Sequence, residues 1–569
     1  MKAEDLFENM DAIDDEILER SEQLQSSGEF SGSGDAPDMS AAGPLQSAGG
    51  QDAAGSKSSG RRIEWLRRIA AAAAVVAVVG AAVWMFGRGI FRGSDKPEKN
   101  ETTTTVTGTV TVTPGDGKQG GVVDEEEVSE WEKYLAKYRV AKADSPKATK
   151  MPDLEDYKDG QGNYRYDAYE EACRKWRSVD TAYVRSISAS QRTSALNGVV
   201  SFAQSGLAQL LSGETGTNRV CSPANLYMAF AMLAEVTGGD TRAQIMQLLG
   251  VNDIDRLREM ADTAWKLLYR DNGLTTSVPA SSLWLRDDDQ WKYISDTISR
   301  VAETYHASTF HGTMGSAEYD QAFQAWLNEQ TGGLLSDSVK NQTFDELTVL
   351  TIATTLHFTA KWHEAYKTGE TCKQVFHAQS GDIESDFMHK SMWFGTYYAG
   401  DWFAAVYDTF DGDYRDAHMI FFLPDEGVSV EELLSDPQVF ALLGGEQEIP
   451  EHKTMRINLA VPKFDITSDM ELSDNLKKLG VTDVFDMETA DFSALAENPH
   501  GIYLSKVDHS VRVKIDEEGV EAAAYTVLPA VGASMPPEEE TDFVLDRPFL
   551  FAICAEGWTP LFVGIVENP

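Results

Sequence analysis

Two periodicities divide the chain. Apolar residues recur at helical spacing from about Ala195 to Leu211. They do so again in SPANLYMAFAMLAEVTGG, where Ser222-Pro223 opens a helix and Gly238-Gly239 closes it. A two-residue alternation takes over later: Val511, Val513 and Ile515 predict a strand with one buried face. RPFLFAIC and PLFVGIVEN, starting at Arg547 and Pro560, predict two more strands. Between these strands lie about 30 residues with no helical stripe of large side chains and no tight-turn signature, a connection that compact domains rarely hold unless it is functional or disordered. This stretch, DEEGVEAAAYTVLPAVGASMPP, enters through an acidic turn at Gly519, runs through small residues and ends at rigid Pro536-Pro537. Local physics leaves an Ala-rich helix, a linker and a functional loop all open.

The first third of the chain follows a different pattern. Residues 1–60 are acidic and rich in Ser, Gly and Ala, with one short amphipathic stretch from Leu6 to Leu24, and read as a disordered leader. RRIEWLRR then precedes Ile69 to Gly87, a charge-free run long enough for one bilayer crossing of about 20 residues. The run begins too far from the N-terminus for a cleaved signal peptide, so residues 61–93, with a core at 69–87, are expected to form an uncleaved signal anchor. Lys57, Arg61, Arg62, Arg67 and Arg68 slightly outweigh Arg88, Arg92, Lys96 and Lys99, which places the leader in the cytoplasm and the remainder outside the cell. Residues 94–123, with ETTTTVTGTVTVTPGDGKQGG, read as an extended stalk, and Asn100-Glu101-Thr102 within it matches a glycosylation sequon. Two helical patches, EEEVSEWEKYLAKYRVAKA and DAYEEACRKWRSV, mark 124–185 as a charged helical spacer, or a small accessory module, before a domain over 186–569.

Charge and composition narrow the function. A formal net charge of −42 argues against a groove for nucleic acid. The four cysteines are too few and too scattered for a disulfide scaffold or a zinc site; Cys221 and Cys554 sit in apolar runs, where buried free thiols are expected and pairing stays open. No G-x-S-x-G elbow, P-loop or H-E-x-x-H motif is present, and His363-Glu364 lacks the second histidine. An enzyme is therefore not expected, nor is a cofactor or a metal.

EEGVEAAAYT, MPP, FVLDRPFLFAI and PLFVGIVENP resemble the reactive-centre loop and C-terminal strands of the serpin family. NRVCSPANLYMAFAMLAEVTGGDTRAQIMQLLG, FQAWLNEQTGGLLSD, TLHFTAKWHEAY and INLAVPKFDITSDMELSDNLKKLGVTDVFDMETADFSAL resemble earlier elements of the same fold, so the likeness covers about 185–569. It implies an α+β serpin fold: a large mobile, mixed or antiparallel main sheet, two further sheets, about eight or nine helices and an exposed loop over about 517–541. It also implies a monomer that takes serine proteases as partners. Glu517, Gly519, Val520, Glu521, Ala522, Ala523 and Ala524 match the family's hinge, and the spacing from Gly519 to Pro536-Pro537 places the reactive bond at Ala533-Ser534. Ser222, Asn225, Thr354 and His509 match the shutter beneath the main sheet, with two departures: Thr354 stands where the family usually carries Asn, and Asn225 where it carries a second Ser.

In the family mechanism the cut loop enters the main sheet as a strand and drags the attached protease with it. Strand alternation would send Val520, Ala522, Ala524, Thr526 and Leu528 inward, and Glu521, Ala523, Tyr525 and Val527 outward. The inward set is small or apolar and buries no charge. Pro529 removes one ladder donor and is expected to weaken insertion without preventing it. Ala533, preceded by Val531-Gly532, suits the shallow pocket of an elastase-like protease. The resulting expectation is a single-pass cell-surface inhibitor with an extracellular serpin domain. Two other readings stay open: a non-inhibitory serpin-fold binding module, which bulky or charged inward hinge residues would favour, and a stalked surface adhesion protein.

Overall fold

A computed structural model describes residues 130–142, 146, 150–180, 182, 184, 186–213, 216–335, 339–411, 417–444, 449–505, 507–520 and 537–569. The expected anchor at 69–87 lies outside them, as do the leader and the stalk. Among the described residues no helix is long and apolar enough to cross a membrane.

Among the described residues two sheets organise the domain. The first is eight-stranded and runs β1 (Arg139–Ala141), β5 (Ala307–Gly312), β4 (Thr275–Arg286), β6 (Leu350–Lys361), β14 (Gly519–Val520), β13 (Asp508–Ile515) and β12 (Phe464–Glu471), with β3 (Arg270–Asp271) on β4. The second is nine-stranded: β15 (Glu540–Val544), β11 (Glu451–Pro462), β8 (Gly381–Ala399), β9 (Phe403–Thr409), β10 (His418–Pro424), β16 (Phe549–Ala555), β17 (Thr559–Val566) and β2 (Arg219–Cys221), with β7 (Cys372–Ala378) on β8. The two further sheets expected from the resemblance are thus joined into one, because β8 runs unbroken for 19 residues and pairs with β11, β7 and β9 along its length.

The helices are α1 (Glu130–Ala136), α2 (Tyr166–Asp180), α3 (Ala189–Leu210), α4 (Pro223–Val236), α5 (Gly239–Leu248), α6 (Ile254–Leu268), α7 (Ser295–Thr304), α8 (Ala317–Gln330), α9 (Val430–Leu433), α10 (Pro437–Ala441) and α11 (Ser473–Lys478). Among the described residues nine of these, α3 to α11, fall within 186–569. Helix α4 begins as its sequence predicts: the Ser222 side chain accepts the Asn225 N–H, and Pro223 occupies the first turn. It is buried along nearly its whole length in the main core, together with side chains from both sheets. A continuously apolar helix is stable only in such a position.

The segment expected as a charged spacer holds its two helices and contributes more than a spacer. Helix α1 stops at Ala136, and Arg139–Ala141 pairs antiparallel with β5 as the outermost strand of the first sheet. Leu135 is fully buried in a second, aromatic core under α8.

Candidate hinge and sheet opening

Strand β13 ends at Ile515, and the chain reverses through Asp516-Glu517-Glu518. The Asp516 N–H donates to the Gly519 carbonyl (3.0 Å), and the Glu518 N–H donates to the Asp516 carboxylate (2.9 Å). Gly519 and Val520 then sit between two strands, with Gly519 opposite Lys361, and Val520 opposite both Ala360 and Ile515. Among the described residues β6 and β13 do not pair with each other, and these two residues alone bridge them. A cleft passes between β6 and β13, with Ser222 and Asn225 at the α4 side, Thr331 and Leu334 at the α8 side, and Thr355 and Val511 on its rims.

Five backbone or side-chain donors hold the turn. Trp362 donates its N–H to the Glu518 carbonyl (3.0 Å) and its indole N–H to the Asp516 carbonyl (2.9 Å). The Tyr366 N–H donates to the Glu517 carbonyl (3.0 Å). The Glu517 carboxylate, on a residue that is itself buried, accepts from Lys463 Nζ and Thr371 Oγ1, each at 2.7 Å. Burial pushes its pKa up, but these two donors outweigh burial and hold it below the usual carboxylate range. Behind Trp362 and Tyr366 lies a buried ion pair. Lys390 Nζ is 2.6 Å from the Asp408 carboxylate and donates to the Glu364 carbonyl at 2.8 Å, while the Tyr366 hydroxyl donates to Asp408 at 3.0 Å. Both charged side chains are almost wholly shielded, so the pair is satisfied by its own network and not by water.

At the shutter, His509 Nε2 accepts the Ser222 N–H at 3.1 Å, and Ser222 Oγ accepts the Asn225 N–H at 3.2 Å. The His509 ring must therefore be neutral at Nε2, and burial drives its pKa down to about 4. Strand alternation puts Thr354 on the face of β6 that carries Leu356 and Phe358, towards the main core. Among the described residues no hydrogen bond ties Thr354 to Ser222, Asn225 or His509. Its neighbour Thr355, on the opposite face, is the threonine that lines the cleft. Three of the four expected shutter residues are therefore joined by hydrogen bonds, and among the described residues none links Thr354 to them.

Of the expected hinge residues, Glu517 lies in the turn and Gly519 and Val520 form β14. Glu521, Ala522, Ala523 and Ala524, and the bond Ala533-Ser534, lie outside the described residues. The chain is described again from Pro537, and β15 then pairs in parallel with β11. Trp362, Tyr366, Lys463 and the Lys390–Asp408 pair were not singled out in the sequence. Their partners lie 18 to 156 residues away, so no local spacing marks them.

The sequence model of the serpin family (serine protease inhibitor) matches residues 197–569. The alpha-1-antiproteinase of Callosciurus caniceps is 32% identical over 366 residues, spanning 62% of this chain and 84% of its own length. Serpin-Z2A of Triticum aestivum is 27% identical over 369 residues, spanning 63% of this chain and 91% of its own. Among solved structures, the thermophilic serpin tengpin in its native state shares the fold with a TM-score of 0.58 at 22% identity, covering 66% of this chain and 94% of tengpin. Serpin48 of the insect Tenebrio molitor gives a TM-score of 0.55 at 25% identity, covering 66% and 98%. With the family model spanning most of the chain, and its hinge turn leading a strand into the main sheet, this protein belongs to the serpin family, whose members are generally protease inhibitors and not enzymes.

Proposed function

We propose that this protein is a membrane-tethered, surface-displayed serpin that inhibits elastase-like serine proteases by covalent trapping. The observation that carries this reading is the seating of Gly519–Val520 between β6 and β13, which have no other neighbour on that side among the described residues. A chain continuing from Val520 can extend β14 by ladder hydrogen bonds to both flanking strands. The target's serine attacks the Ala533 carbonyl, an ester forms, and the amine of Ser534 leaves. Uptake of about 14 residues at 3.3 Å each then carries the attached protease roughly 45 Å. Trapping wins only if that uptake outruns hydrolysis of the ester.

The preference for a small side chain before the cut rests on Ala533. Discrimination by a shallow pocket amounts to roughly 1–3 kcal/mol per methylene, so proteases related to elastase fall within range. The tether rests on the charge-free run at 69–87, with residues 1–60 in the cytoplasm and the stalk outside. External protease applied to intact cells should then release a fragment beginning in the stalk; a serpin domain protected until lysis refutes that topology.

The inhibitory reading is tested by mixing the domain with elastase and looking for a denaturant-resistant covalent band. Ala522→Arg provides the mechanistic control. Its guanidinium would be buried unpaired in the sheet, at a cost of several kcal/mol, so hydrolysis should overtake trapping. Normal cleavage after Ala533 with little covalent complex is the expected result. Trapping by Ala522→Arg at the parent's efficiency would sink loop insertion as the mechanism.

A further inference from the structure

The segment that precedes the domain reaches the element lying across the cleft. Helix α8 packs on the first sheet through an aromatic core made of Trp284 on β4, Phe310 on β5, and Tyr319, Phe323 and Trp326 on α8 itself. The turn after α8 lines the cleft with Thr331 and Leu334, and Arg512 of β13 donates to the Leu334 carbonyl at 2.9 Å. Helix α8 is therefore fixed to the β4–β5 side, while its exit turn is fixed to β13. Admitting a strand between β6 and β13 separates these two sides by about 4.8 Å, so α8 or its turn has to give way.

Helix α1 and strand β1 add a second hold on α8. Leu135, 1% exposed, fills the aromatic core from outside. The Tyr134 hydroxyl donates to the Glu318 carbonyl at 2.7 Å, in the first turn of α8, and the Tyr138 ring lies 5.2 Å from that of Tyr319. The Tyr138 carbonyl accepts the His311 N–H at 2.8 Å, and β1 continues that pairing along β5. Glu132 joins helix to strand, taking Arg139 in two hydrogen bonds at 2.7 and 2.8 Å and Lys142 in a third at 3.1 Å. Downstream, the Tyr269 hydroxyl donates to the Pro146 carbonyl and the Met151 N–H to the Asn272 carbonyl, so the attachment extends past β1.

We infer that Glu130–Ala141 is a clasp that holds α8 down on the first sheet and slows the separation of β6 from β13. Its consequence for trapping rests on the inhibitory reading above; its consequence for α8 does not. The test compares full-length protein in detergent micelles with Leu135→Ala and with Tyr134→Phe, following amide hydrogen exchange by mass spectrometry. Leu135→Ala should raise exchange across α8 at least about tenfold, and Tyr134→Phe by about two- to fivefold, with β17 unchanged in both. Tyr134→Phe loses one hydroxyl and supplies the answer if Leu135→Ala does not fold. Unchanged α8 exchange, or β17 exchange rising equally, overturns the clasp. Faster α8 exchange in a protein that never traps elastase upholds the clasp and refutes the inhibitory reading instead. Normal trapping with unchanged α8 exchange refutes the clasp alone.

Discussion

Replacing Gly519 by Ala probes the hinge with a single methyl group. A Cβ at this position would lie 2.1 Å from the Ala360 carbonyl oxygen and 2.8 Å from Lys361 Cα, both backbone atoms of β6. Neither can rotate aside, so β14 has to retreat from β6 by about 1 Å to reach ordinary contact. That retreat loosens the pairing of Gly519 with Lys361 and of Val520 with Ala360, and partly uncovers Val520, which is 3% exposed. Two ladder hydrogen bonds at about 0.5–1.5 kcal/mol each, plus some of the Val520 burial, come to about 2–4 kcal/mol. The loss is confined to the two-residue strand β14 and the one core side chain it carries, Val520, so the fold should survive. If 2 kcal/mol of it appears in the barrier to uptake, insertion slows about 30-fold while hydrolysis of the ester keeps its own rate. The assay is the stoichiometry of inhibition: moles of inhibitor consumed per mole of elastase silenced, with the ratio of covalent to cleaved bands on a gel. A steep rise in consumed inhibitor is expected. An unchanged stoichiometry would show that seating of β14 does not limit insertion.

Asp408→Ala leaves Lys390 buried without its carboxylate and should lower stability by about 3–5 kcal/mol in urea titrations, whereas Lys390→Met with Asp408→Ala should recover most of the loss. Equal costs for the single and double variants would discount the ion pair. His509 has a folded-state pKa near 4 against about 6.5 unfolded. The unfolded chain thus binds the extra proton first, and stability falls as pH drops from 6.5 towards 4, by on the order of 3 kcal/mol in all. His509→Gln should remove that part of the pH dependence while leaving the carboxylates' contribution; superimposable profiles would contradict the neutral, accepting ring. Ala533→Arg should move inhibition from elastase-like to trypsin-like proteases, whose pocket carries an aspartate. Undiminished elastase inhibition would relocate the reactive bond, with Val531-Gly532 the next candidate.

What could be read in the sequence is what local chemistry encodes. The alternation of Val511, Val513 and Ile515 is the buried face of β13, and the apolar runs after Asp546 are β16 and β17 in the core. Ser222-Pro223 marked the start of α4 because the cap is a local bond. The turn into Gly519 was legible from its Asp-Glu-Glu-Gly sequence, while the small residues after Val520 lie outside the described residues. Helical spacing failed in EEEVSEWEKYLAKYRVAKA, where Tyr138 and Arg139 leave the helix to pair with His311 and Phe310. The pairing edge of β5 lies far along the chain and overrides propensity, and Val140, 53% exposed, supplies no alternation. The joined second sheet was hidden for a similar reason: the continuity of β8 depends on a different partner at each end. Thr354 was placed by its match to the family, yet its hydroxyl does not enter the Ser222–His509 contact, and no one-dimensional pattern says where a side chain's partners will be.

The far end of the loop is tied to a different sheet from the near end. Glu540 to Val544 runs parallel to Arg456–Ala460 of β11, and Asn458 Nδ2 grips the Glu540 and Asp542 carboxylates at 2.9 Å each. An intact loop is thus a strap buckled at both ends. For the uncut chain to slide far into the first sheet, β15 must peel from β11, and five paired residues resist at about 0.5–1.5 kcal/mol per hydrogen bond. A single cut between Val520 and Glu540 unbuckles the strap without disturbing either sheet. Under the proposed mechanism the attacking protease would make that cut, and the pairing of β15 with β11 would oppose uptake until it did.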